Sequence, residues 1–313
     1  MVRFSLNATT GRNILELAND RDSSAYVRKI YYYWIMCFSL ASMTLNALLC
    51  VAICCFPNSL IKINPMLLCN SIVDYLLAST YFFFGHYLFV GYDRLFTIFL
   101  GFVHVTDPKT FQYVIFVEQM ILIANWNIVI AQTRLFSNKQ PSGRRLYWFF
   151  TFCFLHYVSN LYFNLKAYSG HMSAEDLEDS VSIVRYYAIE VTSNNIYGKM
   201  VIPEKMTVND YIPTLYSLCG FILIVYCSIS IRRILRQSSG MKVAITRRLN
   251  QSMDRTILSI GGIVMFTNVF PNIGFAVAYS RCQSNAIFSL VVSTCILSSA
   301  FLNPVQVITA ENR

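Results

Sequence analysis

The chain has 313 residues, of which 55% are hydrophobic and only 13% charged, and its formal net charge is +9. Ordinary soluble domains have about 45–50% apolar and about 25% charged residues, so this composition excludes a soluble fold and predicts apolar surface that faces lipid. The positive charge alone does not indicate a nucleic-acid-binding protein, which needs a soluble basic face with stacking aromatic side chains.

Long apolar stretches follow one another along the chain, and each approaches the roughly 20 residues that an α-helix needs to cross the hydrocarbon core of a bilayer. Backbone groups in lipid must pair within their own segment, and the alternation typical of barrel strands is absent. The sequence therefore predicts an all-α membrane protein, a seven-transmembrane helix bundle. The predicted spans are residues 30–56, 65–90, 111–135, 145–167, 212–235, 256–279 and 284–309.

The basic residues predict the orientation of the bundle. The loops after spans three and five are rich in arginine and lysine, and short loops of this kind stay in the cytoplasm. We therefore expect an extracellular amino-terminal segment, residues 1–29, and a short cytoplasmic end, residues 310–313. Residues 1–29 also lack the basic-then-apolar pattern of a secretory signal. A long outer loop at about 168–210 and a basic inner loop at about 236–255 complete this topology.

Two kinds of modification site depend on this orientation. Asn7 begins an Asn-Ala-Thr triplet in the outer segment and is predicted to carry a glycan, whereas the triplet at Asn250 lies in an inner loop and is not. Most of the ten cysteines lie in or beside the spans, where they pack well, and we expect no structural disulfide. Cys54 and Cys55, at the inner end of span one, are candidates for acylation, although simple packing is the alternative that the sequence favours.

Asp74 is the main candidate for a functional residue inside the membrane. It lies in the middle of span two, where a charged and unpaired side chain costs about 3 kcal/mol, so we expect it to face the bundle interior. Asn46 and Asn303 lie at similar depths and are expected to hydrogen-bond to it directly, through water or through a sodium ion. No other cofactor or metal is expected. The alternative is a polar cluster that only locks three helices together.

Prolines interrupt spans six and seven. Pro271 and Pro304 each remove one backbone hydrogen bond and are predicted to kink their helices. A kinked helix can pivot, so that a small shift near the outer face becomes a larger displacement near the inner face. The alternative is static curvature without a role in switching.

Taken in chain order, these residues resemble the conserved positions of the rhodopsin-like G-protein-coupled receptors. The resemblance covers the whole transmembrane region. It rests on Asn46 in span one, Asp74 in span two, Arg134 at the end of span three, Trp148 in span four, Tyr226 in span five, Pro271 in span six and Asn303-Pro304 in span seven.

Several positions depart from the pattern of that family. Gln132 and Thr133 stand where an acidic residue precedes the arginine, Val269 replaces the tryptophan of span six, and Val307 replaces the tyrosine of span seven. The cysteine near the outer end of span three is also absent. The chain looks most like the divergent nematode chemosensory serpentine receptors. The resemblance implies a multi-pass receptor in the plasma membrane of a sensory cell that binds a small-molecule ligand and activates a heterotrimeric G protein.

In such receptors the ligand lies between the outer halves of spans three, five, six and seven. Aromatic and amide side chains on the predicted inward faces favour a small, mostly neutral ligand, although ordinary core packing is the alternative for each aromatic. Glu118, near the outer end of span three, could reach toward the membrane interface or pair with a neighbour, and it is a weaker candidate for a functional residue than Asp74. The predicted ligand-binding residues are Tyr113, Phe116, Met120, Asn268, Asn272, Phe275 and Phe288.

The inner face carries the predicted coupling residues, which would surround the cleft that accepts the G protein. The same positive charges are required by the inside-positive rule, so they indicate a G protein only modestly. The predicted coupling residues are Arg134, Arg232, Arg233 and Arg236.

Other functional classes fit the sequence less well. An enzyme is not expected, because the four histidines are scattered and neither a zinc-binding HExxH pair nor a phosphate-binding glycine loop occurs. A transporter would show repeated halves with broken helices at matching positions, and no such repeat is visible. A ligand-gated cation channel of the insect chemoreceptor type stays open as the alternative. Its inverted topology, with a cytoplasmic amino terminus, opposes the charge distribution seen here.

Overall fold

The fold is taken from a computed structural model and rests on the residues whose placement it describes. The predicted domain boundaries at residues 1–29 and 310–313 lie largely outside them. The described residues are 14–55, 65–91, 94–99, 103, 113–114, 116–118, 120–125, 128, 151, 154–155, 157–159, 162, 196–200, 215, 218–219, 221–222, 225–226, 229, 233, 262–263, 265–271, 273–274, 277 and 286–311.

Three long α-helices dominate the described part of the chain. They are α1, Ile14–Cys55, α2, Pro65–Phe84, and α3, Ala286–Glu311. Each packs against the other two. The buried side chains between them include Tyr31 and Ile35 of α1, Leu77, Ala78 and Tyr81 of α2, and Leu297 and Ala300 of α3.

Two of these helices are long and apolar enough to cross a membrane. The apolar stretches are Lys29–Cys55 of α1 and Ile287–Val305 of α3, close to the predicted spans 30–56 and 284–309. Only 28% of the most apolar window of α1 is buried inside the structure, whereas the core helix of a soluble protein is mostly covered. The uncovered apolar surface of α1 is therefore suited to contact with lipid.

Helix α1 begins well before the predicted first span. It starts at Ile14 and contains 42 residues, which corresponds to about 63 Å at about 1.5 Å per residue. The prediction began the span where the apolar residues begin. No glycine or proline lies between residues 14 and 29, so nothing in the local sequence stops the helix there.

Helix α2 ends earlier than predicted, at Phe84 instead of residue 90. Gly85 adopts a left-handed conformation with φ of 56°, and its N–H donates to the carbonyl of Tyr81 at 2.8 Å. This is the hydrogen bond of a helix that is capped by a left-handed glycine. The apolar residues beyond Gly85 form a strand. Hydropathy alone had predicted them as the end of the second span.

A three-stranded antiparallel sheet follows α2, and the prediction of an all-α fold did not include it. Its strands are β1, His86–Gly91, β2, Arg94–Phe99, and β3, Ile196–Met200, in the order β1-β2-β3. His86 pairs with Phe99 in the hairpin, and β3 comes from the predicted outer loop at 168–210. Strand β1 also contacts α3.

Predicted spans three to six are described only in part. Every described residue within 111–135, 145–167, 212–235 and 256–279 is helical. In span six, Met265–Val269 forms a π-helical turn that ends two residues before Pro271. A helical character is therefore observed for these predicted spans, while their full length lies outside the described residues.

The cap at Gly85 leads to a prediction about stability. Replacing Gly85 with Ala places a Cβ in the left-handed region, which costs about 1–2 kcal/mol. We expect G85A to lower the melting temperature of the detergent-solubilised chain. Gly262→Ala is the matched control, because Gly262 lies in a helix where an added methyl group would meet no atom within 4 Å, and alanine is the better helix former. Equal melting temperatures for the two variants would contradict the assignment.

Candidate functional site

Asp74 is the centre of a group of hydrogen-bonded side chains, the amide–carboxyl cluster, which consists of Asp74, Asn70, Asn125 and Asn303. Asp74 is 0% exposed. Its Oδ2 accepts hydrogen bonds from Nδ2 of Asn70 at 2.9 Å and from Nδ2 of Asn303 at 2.8 Å. Its Oδ1 accepts a hydrogen bond from Nδ2 of Asn125. The cluster therefore joins α2 to α3 and to the short apolar helix Phe116–Asn125.

Three amide donors compensate for the burial of the carboxyl group. A charged side chain near the centre of a membrane helix costs about 2.5–3.5 kcal/mol on insertion scales. A hydrogen bond to a charged group contributes about 1.5–3 kcal/mol, so three donors on two oxygens are enough to offset that cost. Removing one donor leaves part of the carboxyl group unsatisfied in an apolar surrounding.

Asn46 makes a second polar connection, which joins α1 to α3. Pro304 has no N–H, so the carbonyl of Ala300, four residues earlier, lacks a donor from its own helix. Nδ2 of Asn46 donates to this carbonyl at 2.6 Å and to the carbonyl of Ser42 at 2.9 Å. The amide nitrogen of Asn46 thus binds backbone carbonyls and not Asp74, whereas Asn303, the other expected partner, does bind Asp74.

Two buried amide oxygens among the described residues of this region have no hydrogen-bond partner, Oδ1 of Asn46 and Oδ1 of Asn70. Hard cations take oxygen ligands, and buried polar atoms also pair with ordered water. The oxygens of Asp74 and Asn70 are therefore suitable ligands for a sodium ion and suitable hydrogen-bond acceptors for a water molecule. The sodium ion stays a prediction. Within the described ranges, no group of three or more His, Cys, Asp or Glu side chains is placed to hold a metal ion.

The helix Phe116–Asn125 presents a polar face to the interior. Glu118 and Asn125 are 2% and 5% exposed, and their spacing of seven residues puts them on the same face. Phe116 and Met120 are half-buried, but Tyr113 is 69% exposed and does not lie in a closed cavity. The most buried face of this helix is therefore that of Glu118 and Asn125, and not the face of Tyr113, Phe116 and Met120 that was predicted to point inward.

Spans six and seven approach each other closely at Gly274. A Cβ added to Gly274 would lie 3.2 Å from the ring of Phe288, which is half-buried on α3. Pro271 is buried, and the π-helical turn before it widens the helix where proline cannot donate to the carbonyl four residues earlier. Asn268 lies in that turn, and its side chain, like Asn272 and Phe275 as a whole, falls outside the described residues.

Polar and aromatic contacts hold α1 against α3. The hydroxyl groups of Tyr31 and Ser293 are hydrogen-bonded at 3.1 Å, and Nε1 of Trp34 donates to Oγ1 of Thr294 at 2.9 Å. Further along both helices, Asn46 binds the carbonyl of Ala300. Because the contacts advance in the same direction along both helices, α1 and α3 run parallel.

The predicted residues of the inner and outer surfaces are mostly beyond what the structure describes. Arg233 is helical and exposed. Asn7, Arg134, Arg232 and Arg236 lie outside the described residues.

Sequence reasoning missed two members of the cluster, Asn70 and Asn125. Asn70 precedes Asp74 by four residues, which is the spacing of neighbours on one helix face, so the helical period contained this signal. Asn125 ends the apolar run that begins at Met120, and an amide at such a position points to a polar partner on another helix. Its pairing with Asp74 across 51 positions required the tertiary structure.

Comparison with known proteins adds no relative to these observations. No protein-family model matches the chain, and no characterised protein matches its sequence.

The amide–carboxyl cluster can be tested with a double-mutant cycle. We expect Asn303→Ala to destabilise the chain by about 1–3 kcal/mol, because Asp74 then loses one donor. The same substitution in an Asp74→Leu background should cost nothing, since the acceptor is gone. The free energy of unfolding in mixed micelles measures both effects.

Thr44→Ala is the control for this cycle. Thr44 lies on the exposed face of α1, and its hydroxyl binds only the carbonyl of Leu40 in its own helix. An equal cost of Asn303→Ala in both backgrounds would mean that the hydrogen bond to Asp74 does not stabilise the fold.

Proposed function

We propose that this chain is a G-protein-coupled chemosensory receptor in the plasma membrane. Seven helices with an extracellular amino terminus would bind a small ligand in an outer cavity and activate a heterotrimeric G protein at the inner face. The observation that carries the proposal is the amide–carboxyl cluster, because a buried polar group that joins three helices is suited to select between two packings of a bundle.

The hydrogen-bonding capacity of the cluster supports a switching role. Asp74 binds donors from two other helices, while Oδ1 of Asn70 and Oδ1 of Asn46 have capacity left. A small displacement of α3 can therefore exchange one set of hydrogen bonds for another at low cost. Pro271 and Pro304 interrupt the backbone ladders of spans six and seven, which lowers the resistance of those helices to bending.

The helix directions and the sheet support the proposed topology. Two parallel membrane helices require an odd number of crossings between them, and the proposal places five between α1 and α3. Strand β2 pairs with β3, so residues 94–99 and 196–200 lie on the same side of any membrane. That pairing requires an even number of crossings between the strands, and the proposal places two there.

The ligand class follows from the side chains that would face the outer cavity. Phe116, Met120 and Phe288 are half-buried and offer apolar contact. A small ligand that is mostly neutral suits this set. The inner arginines would then receive an acidic surface of the G protein.

The location of the amino terminus is the first test of this function. An epitope added before Met1 should be labelled by a membrane-impermeant antibody on intact cells, because the arginine-rich loops hold the opposite face in the cytoplasm. An epitope after Arg313 should be labelled only after permeabilisation. The reverse pattern would exclude the receptor and favour a ligand-gated cation channel of inverted topology.

The second test concerns the cluster. Asp74→Asn removes the charge and replaces one acceptor oxygen with an N–H₂ donor. That donor faces the donating amides of Asn125 and Asn303, so the balance between the two packings of the helices should shift. We expect basal or agonist-stimulated nucleotide exchange on the G protein to change by about fivefold or more, the lower end of ordinary coupling energies. Surface expression should persist. Nucleotide exchange is measured in membranes, with a panel of small neutral compounds as agonists.

A swapped pair and a surface variant control this experiment. The double variant Asp74→Asn with Asn303→Asp keeps one carboxyl and one amide in contact and should recover part of the response. Thr44→Val removes a hydroxyl from the exposed face of α1 and should change nothing. An unchanged response in Asp74→Asn would remove Asp74 from the mechanism.

A further inference from the structure

Two adjacent cysteines end helix α1, and both are free and exposed. Cys54 and Cys55 are its last two residues. The neighbouring Leu49 and Ile53 are buried and mark the side of α1 that packs against the bundle. The two thiols therefore lie at the periphery of the helix bundle, where a large substituent meets no protein core.

The position of these thiols along α1 is as informative as their exposure. The apolar stretch of the helix runs from Lys29 to Cys55, so both sulfur atoms lie where that stretch ends. Cys37 is also exposed and free, but it lies inside the stretch. A water-soluble acyl donor can reach the first two thiols and not the third, since the hydrocarbon core excludes charged molecules.

We propose that Cys54 and Cys55 form an S-acylation site that carries long-chain fatty acids. The thiolate Sγ attacks the carbonyl carbon of a long-chain acyl-coenzyme A, and a new carbon–sulfur bond forms. The bond from that carbon to the sulfur of coenzyme A breaks, and the leaving thiolate takes up the proton that the cysteine released. The product is a thioester, with no net oxidation or reduction.

The exposed surface of α1 suits the attached chain. Leu48 and Val51 are 60% and 59% exposed, and with Cys55 they follow the spacing i, i+3, i+7 of a single helix face. An acyl chain that starts at Cys55 and turns back into the bilayer passes along this apolar stripe. The chain pins the inner end of α1 at the membrane surface and leaves the α1–α3 contacts unchanged.

In the test, hydroxylamine removes the acyl groups from the full-length chain. Each thiol set free in this way is then labelled with a polyethylene-glycol maleimide of known mass. Free thiols are first blocked, so each thioester adds one increment to the apparent mass. We expect two increments for the native chain, one for each of Cys54→Ser and Cys55→Ser, and none for the double variant. Cys37→Ser is the matched control and should keep both. Serine is close to cysteine in size, and surface labelling verifies that every variant reaches the membrane.

Two outcomes would overturn the proposal. One is the absence of any hydroxylamine-dependent increment in the native chain, and the other is the persistence of both increments in the double variant. The readout is chemical and needs neither a ligand nor a G protein, so it is independent of the test of receptor function.

Discussion

A carboxyl group buried among apolar helices requires hydrogen-bond donors, and the described core is arranged around that requirement. Asp74 takes them from its own helix, from α3 and from the helix Phe116–Asn125. Hydrophobic packing between membrane helices is weakly directional, because lipid tails are as apolar as leucine side chains. The amides around Asp74 are directional, and they fix which helix faces meet and at which depth. The order of the helices in this part of the bundle thus depends on a few polar atoms.

The end of the described structure that carries the sheet is organised differently, by backbone hydrogen bonds. Gly85 stops α2, and the chain continues as a hairpin that recruits β3 from a distant loop. Strand β1 then contacts α3. The sheet therefore ties together the two helices that share the amide–carboxyl cluster further inside. A displacement of α3 at one level has to be accommodated at the other, which links the sheet to the buried carboxyl group.

The sequence predicted the features that depend on composition and missed those that depend on partners. The limits predicted for spans one and seven agree within a few residues with the apolar stretches Lys29–Cys55 and Ile287–Val305, because hydropathy alone determines them. The burial of Asp74 and its bond to Asn303 followed from the cost of an unpaired acid. The sheet was missed because the strand residues 86–91 are as apolar as the end of a span. Asn125 was missed because its partner is distant in sequence, and the phase assigned to Tyr113 did not anticipate its exposure.

Because of the proline at position 304, α3 offers a backbone carbonyl to α1. By lacking an N–H, Pro304 turns the carbonyl of Ala300 into an acceptor for another helix, and Asn46 uses it. The two positions are consequently coupled through one backbone carbonyl. A residue with an N–H at 304 would close the ladder within α3 and leave Asn46 with the carbonyl of Ser42 as its acceptor, whereas an apolar residue at 46 would leave the carbonyl of Ala300 without a donor.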